Sequence, residues 1–287
     1  MSGYRNAEDL LAGKRRVIDE HGPWTTPIDL GFGVTTCDPE TDYTGGTRLR
    51  RVVQVTEDVA GRRLDGVKVL DLACLEGMIS VALARRGAVV LGIEAREGNL
   101  ARACFARDAL RLDNLRFTKD DVRNLSVERH GSWEIVLCLG ILYHLPSPDV
   151  FDFVARVFEV TGRAAIIDTQ VSLRDANREL LGPPMTSAHG GNTYRGRDYK
   201  EFDPESRPED RLKSVWSTLD ARPSFWPTKA SLFNLLERTG FSSVMEVRMP
   251  VWRGMPDDRI MLVAFKGSAV EPIPLEPFSE EEPPPGP

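Results

Sequence analysis

Between residues 66 and 170 the chain alternates between two hydrophobic patterns. Short continuous apolar runs are typical of buried strands, whereas apolar residues spaced three or four apart are typical of helices. The runs predict strands at 67–73, 88–95, 115–121, 133–142 and 163–169. The spaced pattern predicts helices at 77–87, 98–112 and 147–162, the last with Ser147 as N-cap and Gly162 as its stop. This alternation predicts an α/β fold whose ligand binds at the carboxyl ends of parallel strands.

The remaining segments complete this α/β domain, which we expect to span residues 61–267. A capped helix is predicted at 228–240, followed by a C-terminal antiparallel pair of strands at 243–250 and 259–267. Residues 170–226 are polar and rich in Gly, Pro and Arg, and they are too long for a simple connection. We therefore expect a substrate-binding insertion there, and an N-terminal lid or flank at 1–60.

Composition and charge narrow the choice of partners. Without the five glutamates of 268–287, the formal net charge of the 287-residue chain is −1 instead of −6. The body is thus nearly neutral, which disfavours a non-specific nucleic-acid binder, although a local basic patch stays open. The Pro-rich acidic tail at 268–287 is predicted to be disordered. No apolar run of about 18–20 residues predicts a membrane span, and no secretory signal is recognised at the N-terminus.

The four cysteines give no sign of a metal site. Cys37, Cys74, Cys104 and Cys138 form no Cys-x-x-Cys pair, and no Cys/His cluster has zinc spacing. Buried reduced thiols are the expected state, which predicts a cytoplasmic location. We therefore predict no metal ligand, while the oligomeric state stays open.

Acidic residues end three successive predicted strands. Asp71 follows the first strand in place of the Gly-x-Gly-x-x-Gly turn that binds a dinucleotide, which disfavours a nicotinamide enzyme. An acid beside a tight turn and a helix N-terminus at Gly77 suits an amino-acid head group. Glu94 is placed to accept two ribose hydroxyls, and Asp121 to accept from an adenine amino group. These acids together predict a site for an adenosine with a zwitterionic tail.

Four segments resemble motifs of the class I S-adenosylmethionine-dependent methyltransferases. They are VLDLACLEG, LGIEA, KDDVRNL and WEIVLCLGILYHL, and the resemblance covers about residues 60–170. It implies a three-layer Rossmann-like methyltransferase fold with a mostly parallel sheet, and S-adenosyl-L-methionine as the cofactor. The residues that the resemblance places at the cofactor are Asp71, Ala73, Glu76, Gly77, Glu94, Ala95, Asp121, Val122, Leu139 and Gly140.

Two departures from this family keep other functions open. Ala73 and Leu75 stand where the family usually has glycine, and a positive φ angle is costly for leucine. Either the turn keeps a negative φ angle or cofactor affinity is reduced, so a non-catalytic binding protein stays open. LGILYHLPSPDVF and FWPTKASLFNLLERTGF bear a fainter similarity to the tRNA wobble-uridine carboxymethyltransferases. An RNA methyl- or carboxymethyltransferase is therefore a second alternative.

The sequence favours methyl transfer to an oxygen or nitrogen atom of a small-molecule acceptor. His144 follows the fourth strand and is either a general base or a structural loop histidine. His189 is either a base on a lid or, in the favoured reading, a solvated histidine in a flexible segment. Tyr143, Trp24 and Trp226 are the remaining candidates for the acceptor pocket, since such pockets are largely apolar.

Overall fold

The structure is a computed structural model that describes residues 4–38, 45–173, 181–203, 205–251 and 256–268. The predicted disordered tail at 268–287 lies outside the described residues except for its first position. Within the described residues, no helix is long and apolar enough to cross a membrane.

The chain divides into two compact units. Unit 1 comprises Met1–Asn124, Trp133–Leu139 and Arg248–Met255. Its elements are α1 (Ala7–His21), α2 (Gly45–Ala60), β1 (Lys68–Leu72), α3 (Met78–Ala84), β2 (Val89–Glu94), α4 (Glu97–Leu110), β3 (Leu115–Lys119) and β4 (Trp133–Leu139). Four of these, β3, β2, β1 and β4, are adjacent parallel strands, with Asp71 of β1 opposite Gly92 of β2 and Leu137 of β4.

Unit 2 comprises Leu125–Ser132, Gly140–Val247 and Pro256–Pro287. Its elements are α5 (Val127–His130), α6 (Asp149–Val160), β5 (Thr161–Gln170), β6 (Leu181–His189), β7 (Asn192–Tyr199), α7 (Pro208–Lys213), β8 (Ser224–Pro227), α8 (Lys229–Thr239), β9 (Ser243–Glu246) and β10 (Arg259–Phe265). Strand β10 is antiparallel to both β5 and β9, which confirms the predicted C-terminal antiparallel pair.

The strand order is β3-β2-β1-β4 in unit 1 and β5-β10-β9 in unit 2. The central strands read as continuous apolar runs because they are buried: Val69, Leu70 and Leu72 of β1 are each 0% exposed. The caps of α8 also follow the sequence. The Thr228 hydroxyl accepts from the backbone N–H of Ser231, and Gly240 takes the left-handed conformation at the C-cap.

The predicted ends of α6 are wrong at both positions. Pro148 occupies the N-cap, while the Ser147 hydroxyl lies 2.6 Å from the hydroxyl of Ser187 and does not cap the helix. At the other end the helix stops at Val160, and Gly162 already belongs to β5. The extended backbone of the next strand therefore ends this helix, and a glycine cap is not used.

The segment at 170–226 is more regular than its composition predicts. It contains a three-stranded antiparallel sheet in the order β6-β7-β8. Gly190 and Gly191 have φ angles of 55° and 76° and form the turn between β6 and β7, as expected of a tight hairpin. A Cβ at Gly196 would lie 2.3 Å from the Trp226 carbonyl oxygen, so β7 can approach β8 closely only with glycine there. His189 therefore lies at the end of a strand in a β-hairpin.

Candidate functional site

The turn that joins β1 to α3 has a left-handed backbone at alternate positions. Ala73, Leu75 and Gly77 have φ angles of 53°, 55° and 81°. Of the two alternatives for Leu75, the negative φ angle is therefore wrong, while a reduced cofactor affinity stays a prediction. The left-handed conformation costs a residue with a side chain roughly 1–2 kcal/mol. At Gly77 a side chain would not fit, since a Cβ would lie 2.7 Å from Cζ of Phe117.

The carboxylate of Glu94 fixes this turn. Glu94 ends β2 and is 5% exposed, and its Oε2 accepts the backbone N–H of Leu75 at 3.0 Å. Its Oε1 accepts the backbone N–H of Arg96 at 2.7 Å. Burial raises the pKa of the Glu94 carboxyl, and these two hydrogen bonds oppose the rise. Because each carboxylate oxygen has two lone pairs, Glu94 retains the capacity to accept hydrogen bonds from two hydroxyls.

Asp71 is buried behind the same turn. It is 2% exposed, and its Oδ2 accepts the Ser80 hydroxyl of α3 at 2.5 Å. Burial raises the pKa of Asp71 to about 6, against the lowering effect of Ser80. The carboxylate thus fastens β1 to α3, and its predicted role at an ammonium group stays a prediction.

Replacing Asp71 by asparagine is expected to reduce the stability that the folded protein loses as the pH rises to neutral. The folded-state pKa of Asp71, about 6, exceeds its ordinary value of 3.8, so the folded state binds its proton more tightly than the unfolded state. Stability from this group is present below pH 3.8 and is lost as the pH rises through 6. Urea unfolding measures the free energy of unfolding at pH 4.5 and 7.5. Relative to that of the wild type, the value for Asp71→Asn should be roughly 2–3 kcal/mol higher at pH 7.5 than at pH 4.5. If the free energy of unfolding depended on pH equally in both proteins, the ionisation of buried Asp71 would not be the cause of the loss of stability.

Glu76 lies at the centre of a buried network of hydrogen bonds. Its side chain is fully buried and accepts the backbone N–H groups of Thr25 and Thr26 at 2.9 and 3.0 Å, together with both threonine hydroxyls. Nε of Arg102 lies 3.0 Å from its Oε1. A carboxylate has about four lone-pair sites. These donors use that capacity, and a contact of Glu76 with the cofactor stays a prediction.

Arg102 extends this network in two directions. From α4 it donates to the carbonyl oxygens of His21 and Gly22, at 2.5 and 3.3 Å, which fixes the end of α1. It also donates to Oδ1 of Asn99 at 2.5 Å. Arg102 thus links the segment after α1 to helix α4 within unit 1.

The predicted adenine residues lie after β3. Arg123 binds the carboxylate of Asp121, with Nε 3.0 Å from Oδ1 and Nη2 2.6 Å from Oδ2. Burial alone would raise the pKa of Asp121, but the hydrogen bonds and charge of Arg123 outweigh it and lower the pKa. Val122 is buried in the helical turn Val122–Asn124, and Ala95 is partly exposed after β2. An adenine amino group would therefore share Asp121 with Arg123, and these assignments stay predictions.

Two further predicted residues follow the fourth strand. Leu139 is the last residue of β4 and is buried. Gly140 has a φ angle of 86° and donates its N–H to the carbonyl oxygen of Asp168 at 2.8 Å. Their contact with the methionine end of a cofactor stays a prediction.

Both tryptophans predicted to line an acceptor pocket are buried in packing contacts. Trp24 is 4% exposed, and its ring lies 5.6 Å from that of Phe105 in unit 1. Trp226 is 1% exposed, stacks on Tyr199 at 4.3 Å and donates its indole N–H to the Tyr143 carbonyl oxygen at 2.9 Å. The structure therefore gives each a role in the core, and their contact with an acceptor stays a prediction.

His144 is paired with a carboxylate that the sequence does not single out. It ends the helical turn Leu142–His144, and its Nδ1 lies 2.6 Å from Oε1 of Glu201. Oε2 of Glu201 accepts the backbone N–H of Thr218 at 2.6 Å, and the Thr218 hydroxyl donates to the His144 carbonyl oxygen at 3.1 Å. This geometry is compatible with both predicted roles of His144.

Tyr143 lies beside a buried ion pair. Asp168 of β5 is fully buried, and Arg259 of β10 binds it with Nε 2.7 Å from Oδ1 and Nη2 3.2 Å from Oδ2. Cζ of Arg259 lies 5.6 Å from the centre of the Tyr143 ring, a distance typical of a cation–π contact. Arg259 thus joins Asp168 to Tyr143 within unit 2.

His189 lies at the end of β6. Its ring stacks on Phe151 at 5.1 Å, and its Nε2 lies 3.8 Å from Oδ1 of Asp152. Its side chain is 32% exposed, so it packs on α6 and is only partly solvated. Within the described part of the chain, no group of three or more His, Cys, Asp or Glu side chains is placed to hold a metal ion.

Comparison with known sequences finds similarity in the central part of the chain. Residues 69–163 match the family model described as a methyltransferase domain. The ubiquinone biosynthesis O-methyltransferase of Acinetobacter baumannii (strain AYE) is 35% identical over 85 residues, which cover 30% of this chain and 36% of that protein. The protein of the same name from Psychrobacter arcticus is 40% identical over 86 residues, covering 30% and 34%. The chain thus matches about a third of the length of these relatives.

Comparison with solved structures confirms the fold. The crystal structure of the N-terminal domain of EvdMO1, in the presence of SAH and D-fucose, covers 92% of this chain and all of that chain. The TM-score is 0.68 at 23% sequence identity. The expected three-layer Rossmann-like α/β fold, with its mostly parallel sheet, is therefore correct.

Proposed function

We propose that this chain is an S-adenosylmethionine-dependent methyltransferase, because residues 69–163 match the model of a methyltransferase domain. Its acceptor is an oxygen or nitrogen atom of a small molecule. The relatives named as O-methyltransferases support this proposal, as does the EvdMO1 domain whose crystals contained D-fucose.

The observation that carries the proposal is the left-handed β1–α3 turn tied to Glu94. A turn of this kind lets a ligand approach the main chain closely. A buried carboxylate at the end of the next strand suits the hydroxyls of a ribose. The residues present therefore fit a nucleoside cofactor, with Glu94 at the ribose and residues 73–77 at its amino-acid end.

Unit 1 contains the residues that would hold the cofactor. When bound, S-adenosylmethionine supplies a methyl group on a positively charged sulfur. Alignment of the reacting atoms contributes up to about 7–11 kcal/mol to such a reaction. In unit 1 the turn and Glu94 would bind and orient the cofactor. In unit 2 His144 remains the candidate general base, and the Arg259–Asp168 pair supports Tyr143.

No specific observation favours the alternative functions. The case for a non-catalytic protein depended on Leu75, whose φ angle of 55° lies in the range that glycine adopts. The nearly neutral body disfavours an RNA acceptor. A cytoplasmic location is part of the proposal, and the four cysteines, all among the described residues, are thiols in support of it.

Methyl transfer from radiolabelled S-adenosylmethionine tests this function. The protein is incubated with a panel of phenols, sugars and amines and, separately, with an RNA pool. We expect label in at least one small molecule and none in RNA above a boiled-protein control. Label in RNA alone would contradict the acceptor class. No transfer, together with no binding of S-adenosylhomocysteine by calorimetry, would contradict the activity.

A further inference from the structure

Residues 21–26 include the end of helix α1 and form a segment, called the strap, that two buried side chains hold in place within unit 1. The first is Arg102 of α4, which donates to the carbonyl oxygens of His21 and Gly22 at 2.5 and 3.3 Å. Because the Arg102 side chain is only 4% exposed, water hardly weakens these hydrogen bonds. The beginning of the strap is thus fixed to α4.

The second side chain is Glu76, which holds the end of the strap. Its Oε2 accepts the backbone N–H groups of Thr25 and Thr26 at 2.9 and 3.0 Å, and the Thr26 hydroxyl at 2.9 Å. Nε of Arg102 lies 3.0 Å from Oε1 of Glu76, so the two side chains that hold the strap also neutralise each other. A buried carboxylate without hydrogen-bond donors is strongly unfavourable. Release of the strap would therefore take most of its hydrogen-bond donors from Glu76.

Thr26 also ties the strap to the chain that follows it. Asp29 and Thr35 form an antiparallel bridge, which brings Thr36 back beside the strap. The Thr36 hydroxyl donates to the carbonyl oxygen of Thr26 at 2.6 Å. The backbone N–H, the hydroxyl and the carbonyl group of Thr26 are thus all hydrogen-bonded, the first two to Glu76. This makes Thr26 the residue at which the strap is most firmly attached.

Glu76 belongs at the same time to the β1–α3 turn. Its chain neighbours Leu75 and Gly77 have φ angles of 55° and 81°, and Ala73 has a φ angle of 53°. The left-handed conformation is unfavourable for a residue with a side chain, so contacts must hold the turn in this shape. Glu94 supplies one of them through the N–H of Leu75, and the strap supplies others through the Glu76 side chain. The shape of the turn and the position of the strap therefore depend on each other.

We propose that docking of the strap and binding of the cofactor are coupled through the β1–α3 turn, with Glu76 and Thr26 as positioning residues. This inference rests on the proposed methyltransferase function. A ligand that binds the left-handed turn favours the state in which the strap is docked, because the docked strap supports that turn. By linkage, the docked strap raises the affinity for the ligand by the same factor. The turn thus binds the cofactor more tightly with the strap docked than with the strap released.

Hydrogen exchange of the wild-type protein tests the coupling without any substitution. Mass spectrometry follows the peptide that contains the amides of Thr25 and Thr26, with and without saturating S-adenosylhomocysteine. We expect exchange in this peptide to slow about 5-fold or more when the ligand is bound. The control is the peptide that contains Gly61, whose N–H donates to the Glu57 carbonyl oxygen at 3.0 Å at the end of α2. Its exchange should not change.

Thr26→Val tests the contribution of one hydroxyl group to the coupling. Valine keeps the branched side chain and the backbone N–H that binds Glu76, but it loses the hydroxyl bond to Oε2. We expect the dissociation constant of S-adenosylhomocysteine, measured by calorimetric titration, to rise about 5- to 10-fold. The matched control is Thr56→Val, which removes a buried hydroxyl that donates to the Val52 carbonyl oxygen at 2.7 Å within α2. This control should bind S-adenosylhomocysteine like the wild type.

The outcomes separate this inference from the proposed function. A wild-type protein that binds no S-adenosylhomocysteine would contradict the proposed function, and this inference with it. Binding with no slowing of exchange in the strap peptide, or with equal slowing in the Gly61 peptide, would overturn the coupling alone. Equal dissociation constants in Thr26→Val and Thr56→Val would also overturn it. Slower exchange confined to the strap peptide, together with weaker binding in Thr26→Val alone, would support it.

Discussion

Replacing Glu76 by alanine is expected to lower the free energy of unfolding by about 3–5 kcal/mol, because it leaves a buried charge without its partner. The Arg102 side chain is 4% exposed and would lose its carboxylate. The backbone N–H groups of Thr25 and Thr26 would also lose their acceptor. Urea unfolding followed by tryptophan fluorescence measures the effect, and Trp24 lies directly beside these residues.

Two further variants test the physical reason for this loss. Glu134→Ala breaks the more exposed ion pair with Arg62 in the same unit and should cost at most about 1 kcal/mol. Adding Arg102→Met to Glu76→Ala should restore part of the stability, because the unpaired charge is removed. A loss in Glu76→Ala no larger than in Glu134→Ala would contradict the structural role assigned to Glu76.

Replacing Glu94 by alanine is expected to weaken the binding of S-adenosylhomocysteine by about 100-fold. Hydrogen bonds to a charged group contribute about 1.5–3 kcal/mol each, and every 1.4 kcal/mol changes a dissociation constant tenfold. In the proposed function the variant would lose the bonds to the ribose, and it also frees the N–H of Leu75, which holds the left-handed turn. Calorimetric titration of the purified protein measures the dissociation constant.

The control for this experiment is another acid nearby in sequence. Glu97 begins α4, is exposed and pairs with Lys119 at 2.7 Å, so it changes the charge near the site without touching the turn. Glu97→Ala should bind S-adenosylhomocysteine like the wild type. An unchanged dissociation constant in Glu94→Ala would remove Glu94 from the ribose, whereas equal losses in both variants would indicate a general effect of charge.

Much of the fold follows from local signals in the sequence. The apolar runs of β1 and β4 are buried on both faces, so they read as strands without any knowledge of their neighbours. Helix α8 carries Thr228 and Gly240 at its ends, and both act as caps. The ends of α6 could not be read in this way, because Ser147 bonds to Ser187 from a distant strand.

The candidate site was only partly predictable, because its carboxylates have partners from remote parts of the chain. Glu76 stands within a cofactor-like motif, and only the folded contacts with Thr25 and Arg102 reveal its structural role. Glu201 lies in a polar stretch with no motif, and its importance comes from contact with His144. No periodicity or spacing in the sequence indicates either pairing.

Leu75 departs from the glycine of the motif but keeps a left-handed backbone. The sequence indicates a steric cost at this position, and the structure shows the residue in the costly conformation, with φ at 55°. What the sequence could not show is the hydrogen bond from its N–H to Glu94, which stabilises the turn. The backbone that a ligand would meet thus keeps the shape that glycine permits.

The crystal structure of this protein with S-adenosylhomocysteine tests the central claim most directly. We predict that both ribose hydroxyls lie within hydrogen-bond distance of the Glu94 carboxylate, with the amino-acid end of the ligand against residues 73–77. A ligand bound elsewhere on the chain, with the Glu94 carboxylate still occupied only by its own backbone and side-chain partners, would contradict the account.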